Sequence, residues 1–462
     1  MSLTSIAAVV GGRLANVLDR KAQVTQPARV DSREIVPGAL FVALKGQYTD
    51  GHDYVEAAIA GGAVAALVTR PVGFPAIVVE DVLTAFARLG RALLHDPLAT
   101  ATVVAVTGSA GKTSTKDFIA QVLPGTVVCT PQSFNNETGL PLTITLGDKT
   151  TDYLVLEMGA RHIGDIRDLT WIAPPDISVI TNVGTAHLGE FGSRQNIAQA
   201  TGEIVEALQP DGLAVLNADD DFTAAIRLRT RGRVVTYGLS EQATVRAVDV
   251  TTDGQGRASY TLTAPEGSAP VHLQSAGDVQ VPNSLAAAAV AREAGLRVQE
   301  SAARLSQALP RSRWRMETTT RADGVTIVND AYNANPHSMR HALNALASMT
   351  GGRDQRSIAV LGRMNELGDD ARTSHEEIGR HAAERDLDQI ILVGEDEAGW
   401  MQDGVRSSGG TALHLPDQDT ALDLLRNTLR SGDVVLIKAG RDVQLQQLAD
   451  ALLQPSPHPT GA

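Results

Sequence analysis

Residues 103–115 of the chain read VVAVTGSAGKTST, from Val103 to Thr115, and this stretch decides the fold. A β-branched run stops at a glycine turn, and a helix-compatible stretch follows from Lys112 to Val122. A strand, a glycine-rich turn and a helix in this order are the context of a phosphate-binding loop. The sequence therefore predicts an α/β fold that binds a nucleoside triphosphate at this turn.

The residue types within the turn suit phosphate chemistry. Gly108 and Gly111 allow backbone N–H groups to converge on an anion, and the helix start adds unpaired N–H groups and a positive dipole end. Lys112 supplies a cation for the terminal phosphates, and the hydroxyl of Thr113 can bind Mg²⁺. Val106 stands where the longer Walker pattern has glycine, and the alternative is a plain glycine turn beside an exposed lysine. The predicted phosphate-binding residues are Gly108, Ser109, Ala110, Gly111, Lys112, Thr113 and Ser114.

Composition excludes several classes of protein. The 462 residues carry a formal net charge of −13 without a basic block, so we expect no nucleic-acid partner. The single cysteine, Cys129, excludes an intramolecular disulfide and indicates a reducing compartment. No apolar run approaches the roughly 20 residues of a membrane span. We therefore expect a cytoplasmic protein that does not insert into membranes.

Strand and helix patterns divide the chain into three domains and a tail. Residues 1–98 alternate short strands with helices, and residues 99–312 repeat strand-then-helix units typical of a mostly parallel sheet. Residues 313–454 form a second nucleotide-fold-like α/β unit. Its three apolar strands are predicted at 358–362, 389–394 and 434–438. The proline-rich residues 455–462 cannot build a core, so we expect them to be disordered.

Two further strand ends place polar side chains beside the phosphate loop. Glu157 follows the apolar strand 153–156, and His187 comes after the strand 177–180. Ligands of open parallel sheets bind beyond the carboxyl ends of the strands, so these side chains are expected in one crevice. Taken singly, Glu157 equally fits a solvated acid, and His187 a side chain satisfied by the protein. Together with Thr113 they predict a Mg²⁺ site, in which the imidazole is the less usual ligand.

Four motifs resemble the Mur ligase family, ATP-dependent ligases that form amide bonds in peptidoglycan precursor synthesis. They are the phosphate loop 107–113, the metal-binding segments 157–159 and 182–188, and the substrate-facing loop 133–141. The resemblance extends over nearly the whole chain. It implies three domains around one cleft: a domain for a UDP-muramoyl-peptide, a central ATP domain with a mostly parallel sheet, and a Rossmann-like C-terminal ligase domain.

The C-terminal motif indicates which branch of the family the chain resembles. Residues 329–339 read NDAYNANPHSM and, with LGRMNELG at 361–368, are similar to the branch that adds D-alanyl-D-alanine. This branch implies ATP and Mg²⁺ as cofactors, and a UDP-N-acetylmuramoyl-tripeptide and D-alanyl-D-alanine as partners. It also implies that ATP phosphorylates the tripeptide carboxylate and that the dipeptide amine attacks the acyl phosphate.

The resemblance further implies roles for single residues. Arg315 matches an arginine that reaches the ATP phosphates, Asp330 an acid that holds the ribose, and Asn283 an asparagine near adenine. The implied catalytic residues are Lys112, Glu157, His187 and Arg315. The implied substrate-binding residues are Ser32, Arg33, Gly46, Asp50, His52, Asn135, Asn136, Tyr332, Asn333, Asn335 and Lys438, with the last two on the dipeptide side. Without the resemblance, Ser32 and Arg33 fit a plain turn, and Arg315 fits a linker.

Two departures from the family pattern concern the metal and the adenine. Thr201 stands where the family has a lysine that is carbamylated to help hold a second metal. Residues 277–280 read GDVQ in place of the family's Gly-x-His-Asn. Two alternatives stay open: a related amide ligase such as a folylpolyglutamate synthase, and a nucleotide-binding protein with reduced catalysis. We expect a monomer, and either lysine or diaminopimelate as the third residue of the tripeptide.

Overall fold

Three sheets organise the chain. The computed structural model describes residues 1–46, 48–351 and 355–454, so the tail predicted at 455–462 lies outside the described residues. The sheets follow one another in sequence and have four, nine and six strands. Apolar clusters cover both faces of each sheet. This layering confirms the predicted α/β class. Within the described ranges, every helix is too short or too polar to cross a bilayer.

The N-terminal sheet is small and mostly parallel. Its elements are α1 (Leu3–Val10), β1 (Arg13–Ala15), β2 (Leu40–Val42), α2 (Val55–Ala60), β3 (Ala65–Val68), β4 (Ala76–Val78) and α3 (Val82–Leu93). Strands β2, β3 and β4 run parallel, and β1 pairs antiparallel with β4. Helix α3 begins where the Asp81 side chain accepts a hydrogen bond from the N–H of Thr84. Its apolar face, which includes Phe86 and Leu89, packs onto the sheet.

The central sheet carries the phosphate loop. Its elements are β5 (Thr102–Thr107), α4 (Lys112–Val122), β6 (Val127–Cys129), α5 (Gly139–Ile144), β7 (Tyr153–Glu157), α6 (Asp165–Ile172), β8 (Ile177–Ile180), α7 (Leu188–Phe191), α8 (Arg194–Glu206), β9 (Leu213–Asn217), α9 (Asp221–Ile226), β10 (Arg233–Gly238), β11 (Val245–Thr252), β12 (Arg257–Ala264), β13 (Gly267–Ala276), α10 (Gln280–Glu293) and α11 (Val298–Gln307). The strand order is β13-β12-β11-β10-β9-β8-β5-β7-β6. Neighbours from β6 to β11 run parallel, which agrees with the predicted mostly parallel sheet.

One edge of the central sheet differs from the predicted strand-then-helix pattern. Strands β11, β12 and β13 follow one another without helices and pair antiparallel. Every second residue of β12 is buried, including Tyr260 and Leu262. Such alternation is typical of a sheet with one solvated face. The alternation of apolar and polar residues at 257–264 was therefore the sequence signal for this antiparallel edge.

The C-terminal sheet is a second parallel layer. Its elements are β14 (Glu317–Thr320), β15 (Thr326–Asn329), α12 (Pro336–Thr350), β16 (Ser357–Leu361), α13 (Ala371–Ala383), β17 (Gln389–Val393), α14 (Asp396–Ser407), β18 (Leu413–Leu415), α15 (Gln418–Thr428), β19 (Val434–Lys438) and α16 (Gln446–Leu453). The order is β14-β15-β19-β16-β17-β18, and only the β14–β15 pair is antiparallel. Strands β16, β17 and β19 confirm the three predicted apolar strands to within one residue at each end.

Strand register brings the predicted functional segments to common edges. Val106 pairs with Glu157 between β5 and β7. The end of β5 also pairs with the end of β8. The loops after these three strands therefore leave the central sheet at one edge. In the C-terminal sheet, Asn329 pairs with Ile437, so the segments after β15 and β19 start side by side.

Candidate active site

The loop between β5 and α4 has a backbone that only glycine allows at two positions. Gly108 and Gly111 have φ values of 137° and 82°, where L side chains are rarely found. A Cβ on Gly108 would clash with the hydroxyl of Thr181, and one on Gly111 would lie 2.5 Å from Oδ1 of Asn283. In the part of the chain that the structure describes, no side chain caps the start of α4. Its first N–H groups therefore remain free to bind an anion.

The segment after β8 holds this loop in place. The N–H of Ala110 donates to Oδ1 of Asn182 over 3.0 Å, and the hydroxyl of Thr181 donates to the carbonyl of Ala110 over 2.6 Å. The N–H of Gly184 donates to Oγ of Ser109 over 2.8 Å. Sequence reasoning treated residues 182–188 only as a metal segment and missed this support. The Thr-Asn pair that directly follows an apolar strand was the available signal.

Lys112 is a cation within this loop. Its Nζ donates to the carbonyl of Gly108 over 2.6 Å, so the side chain folds back over the turn. Burial lowers the pKa of Lys112, the carboxylate of Glu157 acts in the opposite direction, and the guanidinium of Arg315 lowers the pKa further. Two positive charges therefore face one small region, and an anion such as a phosphate would relieve their repulsion.

Thr113 and Glu157 form a buried pair next to the loop. The hydroxyl of Thr113 donates to Oε2 of Glu157 over 2.8 Å, and Nδ2 of Asn135 donates to Oε1 over 2.8 Å. A hydroxyl and a carboxylate are hard oxygen donors, which suit Mg²⁺ when substrate phosphates complete the shell. Residues 1–46, 48–351 and 355–454 contain no cluster of three or more His, Cys, Asp or Glu side chains suited to a metal. The chemistry of the Thr113–Glu157 oxygen pair suits a Mg²⁺ ion whose other ligands come from phosphate and water.

His187 turns towards the C-terminal sheet. It adopts a left-handed φ of 58° just before α7, and its Nδ1 contacts Oε2 of Glu366. The close contact with His187 is the main cause that lowers the pKa of Glu366. Arg161 also approaches this carboxylate, at 3.2 Å. The metal role of His187 stays a prediction, and the structure adds Glu366 as its partner.

Asp330 lies at the end of β15 among several donors. The N–H of Met316 donates to its Oδ1 over 3.0 Å, and Nζ of Lys438 donates to its Oδ2 over 2.6 Å. Lys438 also donates to the carbonyl of Asn333 over 3.0 Å and is 2% exposed. Asn335 caps α12 by accepting a hydrogen bond from the N–H of Ser338. The side chains predicted on the dipeptide side are therefore already engaged with the protein.

Arg315 and Tyr332 connect the C-terminal side with the central sheet. The guanidinium carbon of Arg315 lies 4.2 Å from the centroid of the Tyr332 ring. The Tyr332 hydroxyl contacts Oγ of Ser133, in the loop predicted to face substrate. Nε of Arg315 is buried without a hydrogen-bond partner among the described residues. An anionic ligand beside the phosphate loop would satisfy this nitrogen.

Asn283 stands beside a pocket next to the phosphate loop. Its Oδ1 accepts from the hydroxyl of Thr115 over 3.2 Å, and its Nδ2 donates to Oε1 of Gln280 over 3.2 Å. The pocket lies against α4 and the start of α10, and its lining includes Ser114, Phe118, Gln121, Ser275, Gln280 and Arg315. Gln280, from the altered segment 277–280, lines one end of this pocket. Phe118 and Gln121, which the sequence did not single out, line this pocket from α4.

Three parts of the chain match domains of one family. Residues 28–89 match the Mur ligase family catalytic domain, residues 106–291 the Mur ligase middle domain, and residues 314–441 the Mur ligase glutamate ligase domain. The UDP-N-acetylmuramoyl-tripeptide–D-alanyl-D-alanine ligase of Mycobacterium tuberculosis is 45% identical, over 98% of each chain. This chain belongs to the Mur ligase family.

Solved structures of Mur ligases agree with this assignment. A crystal structure of MurF from Acinetobacter baumannii has a TM-score of 0.88 and 31% identity, over 98% of this chain and 99% of that chain. The crystal structure of MurF ligase from Thermotoga maritima in complex with ADP has a TM-score of 0.79 and 31% identity, over 93% and 97% of the two chains. The predicted Mur ligase architecture is therefore confirmed, whereas the domain boundaries and the roles of single residues stay predictions.

The N-terminal residues of this Mur ligase form two small clusters. Arg33 is exposed and pairs with Asp31, and this partner lowers the pKa of Asp31 to about 2. Ser32 lies between them in a single turn of 3₁₀ helix. These three residues leave the Arg33 side chain at the surface, where a ligand can reach it.

The second N-terminal cluster is more enclosed. The backbone and then the side chain of His52 donate hydrogen bonds to Asp50, and they hold the pKa of Asp50 well below its usual range. Nε2 of the buried His52 accepts from the N–H of Thr69 over 2.9 Å. Gly46 donates its N–H to the carbonyl of Thr49 over 2.8 Å. His52 therefore shapes the loop, and the Asp50 carboxylate is also engaged by Nη1 of Arg70 at 3.2 Å.

Asn136 and Thr201, both singled out from the sequence, lie in two different parts of the central domain. Asn136 is exposed, and its Oδ1 accepts from the N–H of Gly139 over 2.9 Å at the start of α5. Thr201 is buried within α8. Two positions further along, Glu203 accepts hydrogen bonds from the N–H groups of Gly164 and Arg167 at the start of α6. Glu203, two positions after Thr201, therefore caps the start of α6.

Proposed function

We propose that this Mur ligase joins D-alanyl-D-alanine to a UDP-N-acetylmuramoyl-tripeptide at the expense of ATP, in peptidoglycan precursor synthesis. The observation that carries the proposal is the meeting of two sheets at the phosphate loop. The charge of Arg315, on the C-terminal side, lies near enough to Lys112 to lower the pKa of that lysine, and Tyr332 contacts Ser133 on the central side. Relatives named for this reaction align with 98% of the chain.

The ATP site draws on both sides of this junction. The free N–H groups at the start of α4, together with Lys112 and Arg315, would bind the phosphates. Asn283 and the neighbouring pocket suit the adenine, and Asp330 suits the ribose. The two hydrogen bonds that Asp330 already accepts leave lone pairs for ribose hydroxyls. Phosphoryl transfer depends mainly on such positioning and on charge neutralisation.

The metal proposal rests on the oxygen pair at the loop. Thr113 and Glu157 would hold Mg²⁺, with His187 as a further candidate. When bound, Mg²⁺ would neutralise charge on the β- and γ-phosphates. Asn135 would fix the Glu157 carboxylate through the hydrogen bond to Oε1. The donor types fit this ion, because each first-choice ligand is a hard oxygen.

The reaction proceeds in two steps. A carboxylate oxygen of the tripeptide attacks the γ-phosphorus of ATP, the bond to the β-phosphate oxygen breaks, and ADP leaves. The neutral amine nitrogen of the dipeptide then attacks the acyl carbon and forms the amide bond. The bond from the acyl carbon to the phosphate oxygen breaks, inorganic phosphate leaves with the electron pair, and the nitrogen gives its proton to solvent water. Lys112 and Arg315 stabilise the charge on the transferred phosphoryl group in both steps. Arg33, Ser32 and Asp50 would bind the UDP portion of the tripeptide substrate.

A phosphate-release assay tests the proposal. Turnover should require ATP, Mg²⁺, UDP-N-acetylmuramoyl-tripeptide and D-alanyl-D-alanine together. Tight ATP binding without turnover would instead support a nucleotide-binding protein with reduced catalysis. Parallel assays with lysine- and diaminopimelate-containing tripeptides would identify the third residue.

We also propose that the enzyme acts as a monomer in the cytoplasm. ATP and UDP-linked precursors are intracellular metabolites, and the lone Cys129 suits a reducing compartment. Light scattering at assay concentrations tests the first point, and cell fractionation tests the second. A stable dimer, or recovery outside the cytoplasm, would contradict the respective proposal.

A further inference from the structure

Several cationic side chains lie at the carboxyl edge of the C-terminal sheet, and they differ in whether they have an acidic partner. Lys438 bonds to Asp330 at 2.6 Å, and Arg363 contacts Asp442. Arg441 follows β19 in a short 3₁₀ turn and is exposed. Among the described residues its guanidinium has no hydrogen bond or ion pair, and its one described contact is with the ring of Tyr332, 5.5 Å from the centroid.

The ring of Tyr332 places this free charge close to the reaction site. The guanidinium carbon of Arg315 lies 4.2 Å from the same centroid, and the Tyr332 hydroxyl contacts Ser133. Two residues beyond Ser133, Asn135 bonds to Glu157 of the proposed metal site. A continuous set of contacts therefore links Arg441 to the groups proposed for phosphoryl transfer.

Among the described residues, neither guanidinium beside this ring has an ion-pair partner, so each can bind an anionic group of a ligand. The phosphates of ATP account for Arg315, because it lies close enough to Lys112 to lower the pKa of that lysine. An acceptor dipeptide brings a second anion, its terminal carboxylate. An extended dipeptide spans roughly 7 Å from its first to its last residue. The guanidinium carbons of Arg315 and Arg441 lie 4.2 Å and 5.5 Å from the same ring centroid, so a dipeptide of this length can place its amine near the phosphates and its carboxylate near Arg441.

We infer that Arg441 binds the free carboxylate of the acceptor dipeptide and so selects an acceptor that ends in a carboxylate. The inference rests on the proposed ligase function. Lys438, also predicted on the dipeptide side, gives its hydrogen bonds to Asp330 and Asn333, whereas the described residues offer Arg441 no such partner. A planar guanidinium can bind a carboxylate with two parallel hydrogen bonds, which gives it geometric preference over a lysine.

The test compares D-alanyl-D-alanine with its C-terminal amide, which keeps the amine but lacks the negative charge. For the wild-type enzyme, amidation should raise the KM for the acceptor at least about tenfold, as expected for a lost hydrogen bond to a charged group. Arg441→Gln should raise the KM for the dipeptide by a similar factor and leave the KM for the amide unchanged. The KM values for ATP and for the UDP-tripeptide should stay within about twofold of wild type, because other residues bind those substrates.

Two further variants complete the design. Arg441→Lys should recover part of the preference for the carboxylate, because it restores the charge without the planar fork. Arg406→Gln is the matched control, since Arg406 is an exposed arginine on α14. It should discriminate between the dipeptide and the amide as the wild-type enzyme does. Thermal unfolding of each variant verifies that the fold is intact.

The outcomes separate this inference from the proposed function. An Arg441→Gln enzyme that still discriminates against the amide as strongly as wild type would overturn the inference alone. A rise confined to the KM for the UDP-tripeptide would also overturn it and would assign Arg441 to a carboxylate of that substrate. Absence of wild-type turnover with D-alanyl-D-alanine would overturn the proposed function and the inference together.

Discussion

Lys438 donates a 2.6 Å hydrogen bond to Asp330 from the end of the neighbouring parallel strand. The lysine side chain is 2% exposed and the aspartate side chain 15% exposed, so both charges are largely removed from water. Each of them needs the other, because an unpaired buried charge is costly. The pair also reaches Asn333 through a hydrogen bond to its carbonyl. One lysine thus fixes the proposed ribose ligand and the segment that follows it.

Replacement of Lys438 by methionine should therefore affect both stability and ATP binding. The change leaves Asp330 without its ion pair, and we expect the free energy of unfolding to fall by about 3–5 kcal/mol. The KM for ATP should rise, because the carboxylate loses its orientation. Denaturant unfolding and steady-state kinetics measure the two effects. The double variant Lys438→Met with Asp330→Asn should recover part of the stability, since it removes both charges. A change confined to the KM of the dipeptide would instead return Lys438 to the acceptor site.

The phosphate loop gives a second prediction. Lys112→Ala removes a charge that is held over the turn by its bond to Gly108, and turnover should fall at least ~10²-fold. Lys149→Ala is the matched control, because Lys149 is exposed in a surface loop, and it should leave turnover unchanged. Phosphate released after fixed reaction times at saturating substrate concentrations measures the turnover of both variants. Equal turnover of the two variants would refute the phosphate-loop assignment.

The local elements of this fold were predictable because their signals are local. Helix α4 begins at Lys112 and ends at Val122, as predicted, since the glycines of the loop and the residues that follow determine where it starts. Strands β7, β8 and β19 were predicted from apolar runs, which are also local signals. The end of a parallel strand also predicts which edge carries ligands, so Glu157 was placed next to Thr113 without any contact information.

Partners between the sheets were not predictable in this way. The contact of His187 with Glu366 joins residues far apart in sequence, and it depends on how α7 meets the C-terminal sheet. The same holds for Tyr332 with Ser133 and for Lys438 with Asp330. The sequence shows that these residues are polar and lie near predicted strand ends. The packing of the sheets decides which of them remain free to bind a ligand.

The proposed metal site gives a third prediction. Asn135→Ala removes the hydrogen bond to Oε1 of Glu157, so the carboxylate loses its fixed orientation. The Mg²⁺ concentration for half-maximal activity should rise about tenfold or more, in line with the loss of groups that orient metal ligands. Titration of Mg²⁺ at constant ATP measures this shift.

The neighbouring asparagine supplies the control for that experiment. The Asn136 side chain bonds to the N–H of Gly139, away from the Glu157 carboxylate. Asn136→Ala should therefore leave the Mg²⁺ dependence unchanged, while its predicted substrate role would appear in the KM for the UDP-tripeptide. Equal Mg²⁺ dependence of both variants and the wild-type enzyme would argue against a metal at Glu157.

The helix that begins within the C-terminal motif gives a prediction for pH. Desolvation, followed by the nearby charge of His341, lowers the pKa of His337 to about 4, although the carboxylate of Asp278 opposes this shift. The unfolded chain has a histidine pKa of about 6.5, so between pH 6.5 and 4 it binds a proton that the folded chain does not bind. Stability should therefore be lost progressively as the pH falls through this window. His337→Gln removes this contribution, so its melting temperature should drop less than that of wild type between pH 7 and pH 5. Calorimetric scans at both pH values measure the difference, and an identical drop in the two proteins would show that His337 titrates alike in the folded and unfolded chains.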